Sequence, residues 1–428
     1  MKHEIVFLDT KETEKFLDTE IYNPTCMNWM YEPFMFEFMK QPLANHNIDL
    51  CLKPFDQIDK TKTWFIDLPM YIYSWNHIFL NTNKTLFDCF PKEILDECIS
   101  GNAFMVYNNQ NETDTDLHFK HFYNLYNKNP QVPLNKVIYL SPCKGAKKRY
   151  LEWCRENNIP KSNRFTVSYC NHIDLRFNEF DVKHWTQELE VPKTKLFINL
   201  NRVCRPQRIF MVAALAELGL LEKGNVSLWY EGDKDSFFNE LSTRKQLFLS
   251  SKQGKDLYDL IHSGMNKIVD RLPLFLDIKD KKVNPAGFAN SDFTMYRESY
   301  FNVTSTTFFF KWQEPCYGWN EKEWKPVLAR QPFILFSRPG ALQAMKDFGI
   351  VTYGKYIDET YDLLDDDVER FWAILNELLR LSHLSSVDLD KIIEQTKLIT
   401  KYNLEYTNTK RWENVFYTGG LKDFIGYI

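Results

Sequence analysis

Short apolar runs alternate with helix-like stretches along this chain, and that alternation limits its fold more than any other feature. The runs at 3–9, 63–67 (Thr63-Trp64-Phe65-Ile66-Asp67), 103–107 (Ala103-Phe104-Met105-Val106-Tyr107), 136–140 (Lys136-Val137-Ile138-Tyr139-Leu140) and 164–169 are brief, apolar and followed by polar or turn residues. Buried parallel strands have this pattern. Between the last two runs, 145–157 reads as a helix, because Ala146, Tyr150, Trp153 and Cys154 recur at i, i+4, i+7 and i+8 and make one apolar face. Strands alternating with helices predict an α/β fold, with parallel sheets and helices on their faces.

The pattern restarts after a mixed polar stretch at 177–195 that holds Pro192 and several lysines. A strand at Lys195–Leu200 leads through a loop to a helix at Pro206–Leu218. Pro206 suits its first turn and Gly219 its end. That helix is apolar nearly all round, so it should be buried. A strand near Val226–Tyr230, a long variable region to about 290 and a strand at Tyr300–Thr304 follow. Residues 321–353 then read as a helix (Glu321–Ala329), a strand (Pro332–Phe336), a Pro339-Gly340 turn, a helix (Ala341–Phe348) stopped by Gly349, and a strand (Ile350–Tyr353). A long amphipathic helix spans about 366–382. The 428 residues suit two domains. The predicted limits are 1–190, 191–395 and a tail, 396–428, that packs back on the first domain.

Composition excludes several classes. With 34 Phe and 22 Tyr against 15 Gly, the chain is neither collagen-like nor a Gly-rich repeat. The aromatic excess is either core or stacking platforms; Trp64, Tyr71, Tyr73 and Trp75 form the densest unassigned group. The net charge of −4 argues against binding nucleic acid mainly through phosphate neutralisation, although Lys144–Arg149 and Lys161–Arg164 could line a local groove. The nine cysteines are scattered, with no Cys-x-x-Cys pair. They fit reduced thiols in a cytoplasm better than disulfides or zinc. The first residues are too charged for a signal peptide, and no apolar run approaches the length of a membrane span.

Chemistry concentrates in a few loops. Asn199-Leu200-Asn201-Arg202-Val203-Cys204-Arg205-Pro206-Gln207-Arg208 joins a strand end to a helix start. Ligands bind at such places in open parallel sheets. Free N–H groups and the positive helix end favour an anion, and Arg202, Arg205 and Arg208 add bidentate phosphate donors. Pairing of these arginines with carboxylates is the plain alternative. In Trp319–Ala329, Asn320 suits an N-cap with Glu323 three residues on. Glu321 could there accept from ribose hydroxyls while Lys322 meets a phosphate; a capped surface helix would look the same. Phe336-Ser337-Arg338-Pro339-Gly340 is a turn opening another helix. In the first half, Asn108–His118 follows a strand and supplies Glu112, Asp114 and His118 as candidate general bases, with Asp67 as a fourth. Asp114-Thr115-Asp116 has the form of an Asp-x-Asp metal motif, but solvated acidic loops are commoner. No P-loop, Gly-x-Gly-x-x-Gly, His-Glu-x-x-His or Ser/His/Asp signature is present.

These segments together resemble a known family. Phe301-Asn302-Val303-Thr304, Asn320-Glu321-Lys322-Glu323-Trp324-Lys325-Pro326, Gln331–Phe336, Pro339-Gly340-Ala341-Leu342 and Phe348-Gly349 look like the C-terminal domain of viral (phage) and bacterial glycosyltransferases with the two-domain GT-B fold, the fucosyltransferase-like members in particular. Asn199–Arg208 with Gly219-Leu220-Leu221 looks like their Asn-Leu-Asn-Arg segment. The likeness covers roughly 195–382. Asn320 stands where the family usually has Thr, and Thr306 where members often have Glu. The resemblance implies two Rossmann-like domains facing each other across a cleft. The second would bind a UDP-, GDP- or similar nucleotide sugar through Asn201, Arg202, Arg205, Arg208, Glu321, Lys322, Lys325 and Gly340. The fold's cations replace a metal, so no metal or other cofactor is expected. The acceptor would be a glycan or a hydroxymethylated base of phage DNA, in a host cytoplasm. The rival reading is a catalytically inactive GT-B-like binding or structural protein.

Overall fold

The computed structural model describes residues 3–9, 48–69, 91–108, 116, 119–120, 123–124, 133–141, 143–169, 191–276, 293–311, 317–318 and 321–409. They form two compact units, one of residues up to 169 with Tyr317–Gly318, the other of 191–311 and 321–409. Each is an α/β unit built on a parallel sheet, in keeping with two Rossmann-like domains.

The first unit runs β1 (His3–Leu8), β2 (Ile48–Lys53), β3 (Trp64–Pro69), α1 (Lys92–Ser100), β4 (Ala103–Asn108), β5 (Val137–Ser141), β6 (Cys143–Lys144), α2 (Ala146–Glu156) and β7 (Thr166–Tyr169). Six of these strands form one parallel sheet in the order β2-β1-β3-β4-β5-β7. The sequence reading did not find β2. Its residues, Ile-Asp-Leu-Cys-Leu-Lys, alternate apolar and polar as an edge strand does, and Lys53 reaches across to Glu4 on β1 at 2.9 Å. The buried strands β3, β4 and β5 are the continuous apolar runs, because helices cover both faces of a parallel sheet.

Much of the aromatic excess is core. Tyr107 stacks on Tyr139 at 5.2 Å and Tyr150 on Phe165 at 4.2 Å, with Phe119 edge-on to Tyr150. Each such pair adds roughly 0.5–1.5 kcal/mol beyond its buried area. The hydroxyls of Tyr123 and Tyr150 are satisfied. Tyr123 Oη donates to Asn163 O at 2.6 Å, and Tyr150 Oη accepts from Phe165 N at 3.1 Å. Tyr150 therefore supplies the proton of the 2.8 Å contact between the two phenols. Of the unassigned aromatic group, Trp64 is fully buried; Tyr71, Tyr73 and Trp75 lie outside the described residues.

The second unit runs β8 (Lys195–Asn199), α3 (Pro206–Glu217), β9 (Gly224–Val226), α4 (Lys234–Ser242), α5 (Lys245–Phe248), α6 (Lys252–Ile268), α7 (Phe293–Arg297) and β10 (Ser299–Ser305). After β11 (Tyr317–Gly318), which pairs antiparallel with β6 in the first unit, come α8 (Glu321–Leu328), β12 (Phe333–Phe336), α9 (Ala341–Phe348), α10 (Asp367–Ser382) and α11 (Ser386–Thr409). The sheet order is β12-β10-β8-β9, all parallel. The apolar helix α3 is buried along nearly its whole length, with α6 as its main helical neighbour. Their close approach depends on Gly264, where an added Cβ would lie 1.9 Å from Ala213 O.

Several boundaries differ from the sequence expectation. The strand expected at Val226–Tyr230 is the shorter β9. Residues 350–353, expected as a strand, make no ladder. The Asn403 carboxamide instead accepts from Val351 N and donates to Val351 O, both at 2.8 Å, and so takes the place of a neighbouring strand. Asn403 belongs to α11, which runs unbroken through residue 395. Residues 410–428 lie outside the described residues. Among the described residues no helix is long and apolar enough to cross a membrane.

Candidate functional site

The loop after β8 rests on a buried amide network. Asn199 Nδ2 donates to Val303 O at 2.5 Å and Ser305 Oγ at 2.9 Å, tying β8 to β10. Asn201 Nδ2 donates to Asn199 Oδ1 at 2.5 Å and Ser227 O at 3.2 Å, while its own N–H meets Ser227 Oγ at 3.0 Å. Both asparagines are fully buried, so Asn201 shapes the loop from below.

The three arginines divide by environment. Arg208 is 2% exposed and donates to Val203 O at 2.8 Å, closing the loop on itself. Arg202 lies 5.2 Å from the Trp229 ring centroid and Arg205 5.9 Å from that of Phe308, within cation–π range. Both are part-exposed. Arg205 is also the extended residue before α3, with Pro206 at the first helical position; among the described residues no side chain caps that helix start. The end of α3 thus keeps its anion-favouring character.

Helix α8 brings lysines to the same loop. Lys322 Nζ donates to Leu200 O at 3.4 Å. Its charge acts on Cys204, whose thiol donates to Trp229 O and is pushed up to about 12 by burial, against the pull of Arg208 and Lys322. Lys322 and Lys325 line a cleft of about 40 Å3 with Leu200, Tyr296 and Asn302–Ser305. That volume holds a few water-sized groups, about the bulk of a phosphate. Glu321 opens α8 beside Lys322, and Asn320 lies outside the described residues.

The loops after β10 and β12 are fixed from inside. Thr306 is buried and its Oγ1 bonds with Phe308 O at 2.7 Å and Ser337 Oγ at 3.0 Å, so it holds turns together where the resembling family often has Glu. Gly340 has a left-handed φ of +80°, which an L side chain adopts only with strain, and it leads into α9. The start of α9 already carries an anion. Asp362 Oδ1 accepts from Leu342 N at 2.9 Å and Oδ2 from Gln343 N at 3.1 Å. Burial raises the Asp362 pKa, against the pull of those two donors. A phosphate at Gly340 would have to displace this carboxylate.

In the first unit, Asp67 lies opposite Val106 towards the end of β3. Glu112, Asp114 and His118 lie outside the described residues. Asp116, the second acid of the Asp-x-Asp pattern, takes a two-pronged ion pair from Arg149, with Nε–Oδ1 at 2.9 Å. Arg149 also meets Glu156 at 2.9 Å, and Arg164 donates twice to Ile159 O. Two arginines of the suggested basic groove are therefore committed within the fold. The five cysteines among the described residues are free thiols.

Sequence reasoning missed Gln207, Asp362 and Arg370. All three are buried polar groups with backbone partners distant in sequence, Arg370 also bonding locally to Leu364 O and Asp367. A polar residue inside an otherwise apolar helix (Gln207 in α3) was the available signal; amphipathic α10, with several other charged residues, gave none for Arg370.

No family model and no curated protein sequence matches this chain. Among solved structures it is similar to an α,α-trehalose-phosphate synthase (UDP-forming) from Burkholderia vietnamiensis, at 9% identity over 85% of this chain and 73% of that one, with a TM-score of 0.39. A glycosyltransferase from Rickettsia africae gives 11% identity over 94% and 99%, with a TM-score of 0.30. A UDP-GlcNAc 2-epimerase from Neisseria meningitidis bound to UDP-GlcNAc gives 12% over 93% and 100%, with a TM-score of 0.28. At these scores the likeness is loose, and the functional reading below rests on the residues themselves.

Proposed function

We propose that the protein is a glycosyltransferase of GT-B type that moves a sugar from a nucleotide-activated donor to an acceptor hydroxyl. The observation that carries this reading is the meeting of Lys322 with the loop after β8. It brings Lys322 and Lys325, at the strand ends of one parallel sheet, against the segment that goes on to carry Arg202, Arg205 and the uncapped start of α3. Such a cluster suits a diphosphate.

In this reading the donor diphosphate lies over the loop with one phosphate in the lysine cleft. As the bond between the anomeric carbon and the phosphate oxygen breaks, negative charge grows on the leaving diphosphate. The lysines and arginines stabilise that charge electrostatically. The acceptor oxygen forms the new bond to the anomeric carbon and gives its proton to a base, for which Asp67, Glu112, Asp114 and His118 are the candidates. Arg208 and Asn201 hold the loop, and Gly340 turns the chain into an already capped helix. Of the two acceptors, a glycan is favoured over a hydroxymethylated DNA base, because Arg149 and Arg164 of the suggested groove are already bonded internally.

The test is turnover of a panel of UDP- and GDP-sugars, read as release of the nucleoside diphosphate with and without acceptor sugars. Release from one donor that falls at least tenfold in Lys322→Ala supports the reading. Release that is unchanged in the variant removes this site from the reaction.

A further inference from the structure

We propose that Arg370 is a positioning residue for the donor site, fixing the loop that follows β10 so that Arg205 is held against Phe308. This inference rests on the donor-site reading above.

Arg370 lies on α10 and is fully buried. Its guanidinium spends its donors on three separate segments. Nε donates to Ser337 O at 3.1 Å, after β12. Nη2 donates to Phe309 O at 2.7 Å, after β10. Nη1 donates to Leu364 O at 2.8 Å, before α10. Nη2 also meets Asp367 Oδ1 at 2.5 Å, and the guanidinium carbon lies 4.4 Å from the Phe309 ring centroid. The same Asp367 carboxylate accepts from Lys311 N at 3.1 Å, so both ends of the 309–311 segment are held to the start of α10.

This segment has no strand or helix to define it. Four successive carbonyls, from Thr306 to Phe309, accept instead from side chains. Gln207 Nε2 donates to Thr306 O at 3.3 Å and Thr307 O at 2.5 Å, Thr306 Oγ1 to Phe308 O, and Arg370 to Phe309 O. The Phe309 ring is stacked on Phe336 at 4.1 Å and anchors the turn in the core. Its neighbour Phe308 is part-exposed and carries Arg205. Arg370 thus acts on Arg205 through one peptide unit and one ring. Lysine keeps the charge but cannot reproduce the planar fork that reaches three carbonyls at once.

The experiment is a double-mutant cycle on UDP and GDP affinity by calorimetry, using wild type, Arg370→Lys, Arg205→Ala and the pair. The inference expects Arg370→Lys to lower affinity for the preferred nucleotide at least fivefold in the wild-type background and less than twofold in Arg205→Ala. A merely structural Arg370 would give the same fold-loss in both backgrounds, and that result, or no loss, overturns the assignment. Asp367→Asn, which removes one anchor of the same guanidinium at a less buried position, is expected to show the same dependence on Arg205 at smaller amplitude. It decides the question if Arg370→Lys does not fold. If wild type binds neither nucleotide, the donor-site reading itself falls and the role of Arg370 falls with it. Binding with equal losses in both backgrounds overturns only the latter.

Discussion

Lys322 Nζ and the carbonyl oxygen of Leu200 meet at 3.4 Å, joining the first turn of α8 to the end of β8. The contact links two segments that are far apart in the chain, each carrying cations and each lying at a strand end or helix start. Lys322 thereby meets the base of the loop that carries the arginines and leads into α3.

Removing either lysine should weaken phosphate binding and leave the fold intact, since both are part-exposed on a helix whose core contacts are Trp324 and Val327. Lys322→Ala and Lys325→Ala are each expected to lower affinity for a nucleoside diphosphate about tenfold, as a charged hydrogen bond is worth about 1.5–3 kcal/mol. Calorimetric titration checks this. Arg208→Ala is expected to differ in kind, lowering the melting temperature because its partner Val203 O lies within the loop itself.

The approach of α3 and α6 gives a stability prediction away from the site. At Gly264 a Cβ would meet the Ala213 backbone oxygen at 1.9 Å, so the helices must move apart. Gly264→Val is expected to cost about 1–3 kcal/mol, measured by denaturant unfolding. An unchanged midpoint would show that the two helices separate freely.

Lys193 predicts a pH dependence. Its ammonium donates to Ser299 O at 2.9 Å, and burial lowers its pKa to about 8, against a weaker pull from Asp390. The unfolded chain holds this proton up to about 10.5. Between those values the unfolded state binds more protons, so the contribution of Lys193 to stability rises with pH. Below about 8 the buried charge is a cost. Lys193→Met is expected to be more stable than wild type at pH 7 by roughly 1–2 kcal/mol, with the difference shrinking between pH 8 and 10.5. Unfolding curves across that range check the sign.

The fold was legible where periodicity carries it. Runs such as Val137–Ser141 and Phe333–Phe336 are fully buried strands, and α3 is buried on all sides as its apolar sequence demands. The reading failed where a side chain takes over a backbone role. Residues 350–353 look like a strand, yet the backbone of Val351 bonds to the Asn403 side chain and Tyr353 N to Glu359 Oε1, partners that local pattern does not reveal. Edge strand β2 was hidden by its polar half. At the site, the arginine loop and the α8 lysines were visible because their spacing repeats at a helix start. Their division into part-exposed and buried groups was not visible. Burial of Arg208, capping of α9 by Asp362 and the three-way bonding of Arg370 are set by contacts distant in sequence.

The central claim is that the strand ends of the second unit bind a nucleoside diphosphate. Its most direct measurement is a thermal-shift titration with UDP and GDP, using the nucleosides and orthophosphate as controls. Binding to the folded state alone stabilises by about 2.7 kcal/mol at a hundredfold excess over Kd. The account predicts that one of the two nucleotides raises the melting temperature by several degrees in a saturable way, that the controls do so far less, and that Lys322→Ala with Arg205→Ala abolishes the shift. No shift with either nucleotide, or an equal shift in the double variant, would contradict it.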